Sequence, residues 1–142
     1  MNTDYTDGFD ENGVRVSMSG SLWKMQKGMF SGNIWKRRWV SCDFVHLIVW
    51  NLPTRTEDNA QPKYKFKLSN CQVETDIDTT DDVGRGNVFQ VSDNKTKTKV
   101  ILATDTGALL NDWMQFMKNG KEYDDLVRDV QKERRDAAKR LS

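Results

Sequence analysis

Lys24, Lys36 and Arg38 are the residues whose types and spacing best suit chemistry in this chain, and that chemistry is the holding of an anion. Read as a strand, Trp35-Lys36-Arg37-Arg38-Trp39-Val40 puts Lys36, Arg38, Val40 and Cys42 on one face, because strand side chains alternate. That face begins with cations and ends with apolar residues. A strand that only covers a core would not align charges with its buried positions, whereas one running from a cavity's mouth to its floor would. Gly20-Ser21-Leu22-Trp23-Lys24-Met25 reads as the preceding strand, and Gly28, Ser31, Gly32 and Asn33 suit the loop between. An antiparallel hairpin with its tip near Phe30–Ser31 brings Lys24 opposite Lys36 and Arg38, with Leu22 deeper, near Val40 and Cys42. Arg37 falls on the opposite face, on the outer wall.

Other chemistries find little support, and the chain is not expected to be an enzyme. His46 is the only histidine, which excludes a metal site built on a histidine cluster. Asp76, Asp78, Asp81 and Asp82 lack the glycine and terminal glutamate of an EF-hand loop. No glycine pattern for a nucleotide is present, and no cofactor or metal is expected. Cys42 and Cys71 both fall within expected strands and outside any close-spaced motif. They read as buried free thiols of a reducing compartment, with a disulfide as the alternative.

The elements that must position the three cations follow from periodicity. Strands are expected at 18–26, 34–42, 45–51, 63–69, 71–75, 87–92 and 97–103. The fourth sets Tyr64, Phe66 and Leu68 against Lys63, Lys65 and Lys67, and Ser92-Asp93-Asn94-Lys95 reads as a hairpin turn. The period then changes: Thr104, Asp105 or Thr106 can cap a helix carrying Leu109, Leu110, Trp113, Phe116 and Met117 on one face. Asn119-Gly120 reads as its stop, and a second helical pattern with Tyr123, Leu126, Val127, Val130, Ala137, Ala138 and Leu141 follows. This second helix is either an extension packing on the domain or the start of a coiled coil. The expected fold is mainly β, an α+β small barrel or sandwich of seven antiparallel strands capped by a C-terminal helix, plus an extra C-terminal helix. Residues 1–17 are expected to form a flexible acidic extension, 18–119 the domain, and 120–142 an additional charged amphipathic helix.

The formal net charge of +1 conceals segregation. Residues 20–50 carry Lys24, Lys27, Lys36, Arg37 and Arg38 against Asp43, a balance of +4. Residues 71–86 carry Glu74, Asp76, Asp78, Asp81 and Asp82 against Arg85, a balance of −4. Such polarity can orient a protein toward an anionic surface, while a near-neutral total gives no general attraction to nucleic acid. Apolar runs are too short to span a bilayer and no signal peptide opens the chain, so a cytoplasmic location is expected.

Over 18–119 the chain resembles a pleckstrin homology domain, through Gly20-Ser21-Leu22-Trp23-Lys24, Trp35-Lys36-Arg37-Arg38-Trp39 and the helical Trp113. Trp50, Pro53, Pro62 and Leu68-Ser69-Asn70-Cys71 are similar to the anillin/rhotekin-type branch. The resemblance implies phosphoinositide headgroup binding at the open end of the barrel by Lys24, Lys36 and Arg38, with Lys27 and Arg55 as additional contacts. Val49 stands where tight binders of 3-phosphorylated lipids carry a tyrosine, so bisphosphate lipids or anionic membranes generally fit better. Met29, Phe30 and Ile34 flank the basic mouth and could enter a membrane interface, most simply the plasma membrane. The alternative function is a protein-interaction module of a signalling or cytoskeletal protein, with the C-terminal helix as the surface for a protein partner.

Overall fold

The computed structural model describes residues 5–27, 33–54, 60–75 and 85–141. Eight strands precede one helix: β1 (Tyr5–Phe9), β2 (Arg15–Lys27), β3 (Asn33–Asp43), β4 (His46–Trp50), β5 (Pro62–Lys67), β6 (Cys71–Glu74), β7 (Val88–Asp93), β8 (Lys99–Ala103) and α1 (Gly107–Leu141). All pairings are antiparallel, in the order β5-β4-β3-β2-β8-β7-β6, with β1 on β2. Among the described residues no ladder joins β5 to β6, so the sheet curls without closing, and α1 packs across it. All seven expected strands form.

Alternation builds the core. Met18 and Leu22 of β2, Val40 and Cys42 of β3, and Leu47 and Val49 of β4 point inward with Phe66, Phe89, Val91 and Leu102. Trp113, Phe116 and Met117 fill the remaining side. Each large apolar side chain removed from water contributes about 1.5–3 kcal/mol, which outweighs the weak intrinsic preferences of these short strands. Cys42 and Cys71 are free and buried as expected. Burial, then the nearby Asp93 charge, pushes the Cys71 thiol up to about 11, and burial likewise pushes Cys42 up, so neither is a ready nucleophile.

Local signals fix the ends of elements. Asp43 Oδ1 accepts from the backbone of Val45 and His46 at 2.8 and 2.7 Å, turning the chain between β3 and β4. Asp93 does the same for Lys95 and Thr96 in the β7–β8 hairpin. Of the three capping candidates, Thr106 is the one used: its hydroxyl accepts from Leu109 N at 3.1 Å.

Two expectations are corrected. Part of the stretch expected to be loose, 1–17, is β1, which pairs with β2 from Tyr5↔Gly20 to Phe9↔Arg15. Asp10 and the left-handed Gly13 (φ 79°) make the turn between them. A polar strand of this kind gains its order from the ladder rather than from its own pattern. The expected pair of C-terminal helices is a single helix running through Asn119-Gly120. Gly120 is buried mid-helix, and a Cβ there would meet Leu68 Cδ1 at 3.1 Å and Phe44 Cα at 3.3 Å. Glycine serves close approach at this position, not termination.

Candidate functional site: a cationic inner face on the β2–β3 hairpin

The β2–β3 register runs to Lys27↔Asn33 and places Lys24 opposite Lys36 and Leu22 opposite Arg38; the tip expected near Phe30–Ser31 lies outside the described residues. Directly paired residues share a face, so Lys24, Lys36, Leu22 and Arg38 all lie on the inner side. The three expected cations are therefore brought together. Deeper along the hairpin Gly20 faces Val40 and Met18 faces Cys42, and Leu22 is buried in the same core cluster as Val40 and Cys42.

Lys24 is only 7% exposed. Its Nζ sits 5.1 Å from the centroid of the Tyr64 ring and donates a long hydrogen bond to Met25 O at 3.5 Å. Burial holds its pKa below the usual lysine value, and the charges of Lys63, Arg38 and Lys36 lower it further. Among the described residues every charge that acts on this amine is positive. A lysine directly opposite a lysine is an unfavourable cross-strand pair, so the arrangement costs stability unless an anion arrives. Arg38 is half-buried and donates to Arg37 O at 2.7 Å, and Lys36 is exposed at the rim.

The other face of the same strand is organised oppositely. Arg37 makes two 2.9 Å bonds to the Asp105 carboxylate and a third to Ser21 O, and stacks 4.2 Å from the Trp23 ring. Trp23 Nε1 also donates to Asp105 at 3.0 Å. Burial tends to raise the Asp105 pKa, yet hydrogen bonds from Arg37 and Trp23 and the charges of Arg37 and Arg85 hold it below the usual carboxylate range. Arg85 lies 4.0 Å from the Trp23 ring. Arg37 stands on the outer wall, as expected, and its charge is neutralised there.

Sequence reasoning missed Lys63 and Tyr64. Lys63 was read only as one of the alternating lysines of its strand, yet among the described residues its charge weighs most on Lys24. Tyr64 pairs with Val49, the position lacking a tyrosine, and supplies an aromatic ring to the site from the neighbouring strand. Its inward alternation with Phe66 was the available signal. Of the remaining expected residues, Lys27 is described only by its backbone at the end of β2, and Ile34 is 37% exposed at the start of β3. Met29, Phe30 and Arg55 lie outside the described residues.

Two clefts among the described residues lie elsewhere. One of about 410 Å³ lies between β2 and the start of α1, lined by Ser21, Arg37, Asp105, Leu109 and Trp113 among others. A second, of about 460 Å³, lies between Val73 and α1. Neither is lined by the inner cations, and an open basic rim need not enclose volume to hold a headgroup.

A family model described as PH domain matches residues 16–122. The chain belongs to the PH-domain family. PH domains are generally non-catalytic modules that bind phosphoinositides or proteins. No curated protein matches the chain. Among solved structures, the pleckstrin homology domain of ArhGAP27 is similar at TM-score 0.58 and 14% identity, covering 75% of this chain and 99% of that one. The PH domain of human oxysterol binding protein-related protein 11 is similar at TM-score 0.59 and 12% identity, covering 80% and 87%. The C-terminal PH domain of pleckstrin, in complex with D-myo-Ins(1,2,3,5,6)P5, is similar at TM-score 0.53 and 19% identity, covering 72% and 92%. These likenesses establish the PH fold, an antiparallel sheet with one C-terminal helix. Among the described residues no helix is long and apolar enough to cross a membrane.

Proposed function

We propose that this PH domain is a non-catalytic membrane-targeting module that binds phosphoinositide headgroups, with bisphosphates preferred. The observation that supports the reading is the buried Lys24 amine, on which, among the described residues, only the positive charges of Lys63, Arg38 and Lys36 act. Phosphates would neutralise all four at once. Arg38 can donate two parallel bonds to one phosphate, while the lysines act as point charges. Lys27 and Arg55 are proposed as further contacts, and Met29, Phe30 and Ile34 as residues that enter the interface of a cytoplasmic membrane face, the plasma membrane first. A solved relative of the fold that holds an inositol pentaphosphate supports the choice of ligand class. Residues 18–119 are proposed as the functional unit, since no helical residue beyond Gly120 is buried.

The test is co-sedimentation with liposomes containing or lacking phosphatidylinositol bisphosphate, at fixed salt, for the wild type and Lys36→Ala/Arg38→Ala. Phosphoinositide-dependent binding is expected for the wild type and its loss in the folded double variant. Equal binding by both would overturn the pocket. A protein-interaction role is the second reading, favoured by Tyr123, Leu126 and Leu141, which are large, apolar and exposed on α1.

A further inference from the structure

We propose that the C-terminal half of α1 is a homotypic docking surface, through which two copies of this chain pair as antiparallel helices over residues 121–141. This goes beyond the headgroup reading and does not depend on it. The stripe that seats α1 on the sheet runs through Trp113, Phe116 and Gly120, in alternating steps of three and four residues. The same steps continue without interruption through Tyr123, Val127, Val130, Arg134, Ala137 and Leu141. Such a repeat is the seam of a coiled coil. Its first half is covered by the sheet, and Tyr123 still touches the domain by packing on Phe44 at 4.8 Å. Beyond that, among the described residues, Val127 is half-buried, Val130 is 39% and Leu141 88% exposed, and Leu126 beside the seam is 62% exposed.

Charge identifies the occupant. Residues 122–129 carry Glu122, Asp124, Asp125 and Asp129 against Arg128, a balance of −3. Residues 131–141 carry Lys132, Arg134, Arg135, Lys139 and Arg140 against Glu133 and Asp136, a balance of +3. A parallel pair would set acid on acid and base on base. An antiparallel pair sets each acidic half along the basic half of the other copy and opposes the two helix dipoles. One register satisfies the seam throughout: Tyr123 meets Leu141 of the second copy, Val127 meets Ala137, and Val130 meets Arg134. Each contact then occurs twice about a two-fold axis, as an isologous interface requires. Arg134 can lay its stem over the facing Val130 and keep its charge at the rim, which also disfavours other registers. The seam is about 31 Å long and poor in leucine, so the pair should be reversible and sensitive to salt.

Sedimentation equilibrium of the full chain over a range of concentrations tests this. The expected result is a mass rising toward twice that of the monomer, weakened by added salt and lost in Val130→Asp. Because that change can also fray the helix, two charge variants serve as a second test: Asp124→Lys/Asp125→Lys/Asp129→Lys and Lys132→Glu/Arg135→Glu/Lys139→Glu. Each should be monomeric alone and dimeric when mixed with the other. Val127→Cys should cross-link to Ala137→Cys and not to itself. A wild type that stays monomeric at every concentration, charge variants that dimerise alone, or a Val127→Cys homodimer would each overturn the proposal.

Discussion

The two faces of the β2–β3 hairpin carry similar charges to opposite ends. On the outer face Arg37 is held by a bidentate carboxylate, a backbone carbonyl and an indole ring. On the inner face, among the described residues, Lys24, Lys36 and Arg38 have no acidic partner: Lys24 meets the Tyr64 ring and Met25 O, and Arg38 donates to Arg37 O. Neighbouring residues of a single strand thus serve different ends, and alternation alone separates them. The lesson is that a basic motif marks a binding face only where its charges lack an acidic partner within the fold. A run of four residues, Trp35-Lys36-Arg37-Arg38, contains both cases.

If the inner face is incomplete without an anion, removing its most buried charge should help the empty protein and harm binding. Lys24→Met is expected to stabilise the unliganded domain by about 1 kcal/mol at neutral pH and to weaken binding of a soluble inositol bisphosphate roughly tenfold or more. Its pH dependence has a definite sign. Because the folded pKa lies below that of the unfolded chain, the wild type should gain stability as pH rises through the lowered value toward 10.5, and the advantage of Lys24→Met should shrink over that range. Denaturant unfolding of both proteins at several pH values would check it. A destabilised Lys24→Met protein would mean that the amine is already satisfied.

The outer face should respond in the reverse sense. Arg37→Ala is expected to cost about 1 kcal/mol of stability, modest because both partners are partly exposed, with headgroup affinity nearly unchanged. Asp105 contributes stability above the ordinary carboxylate value near 3.8, lost as pH falls through its lowered folded value. In Arg37→Ala that acid-side loss should be smaller, as acid titration followed by circular dichroism would reveal. The smallest effect belongs to Lys63→Ala: about a twofold loss of affinity at low salt, vanishing at high salt, as suits a peripheral charge.

Much of this contrast was legible in the residues themselves. Alternation placed Lys36 and Arg38 on one face and Arg37 on the other, and the hairpin brings Lys24 opposite Lys36. What was hidden depended on close approach in three dimensions. Lys63 stands on a strand whose own pattern points it outward, but the β4–β5 register shifts there, with Tyr64 opposite Val49 and Pro62 opposite Trp50, so Lys63 has no direct partner in the ladder. Asn119-Gly120 has the composition of a helix stop, yet the glycine is needed because Phe44 and Leu68 crowd that turn of a continuing helix. β1 has too few apolar residues to announce itself and is ordered by its ladder to β2.

The most direct measurement is calorimetric titration of a soluble inositol bisphosphate into the wild type, Arg38→Ala and Arg37→Ala, each first shown to be folded. The expected result is strong loss of binding in Arg38→Ala and retention in Arg37→Ala. Equal affinity in all three, or loss confined to Arg37→Ala, would contradict the assignment of the inner face as the headgroup site.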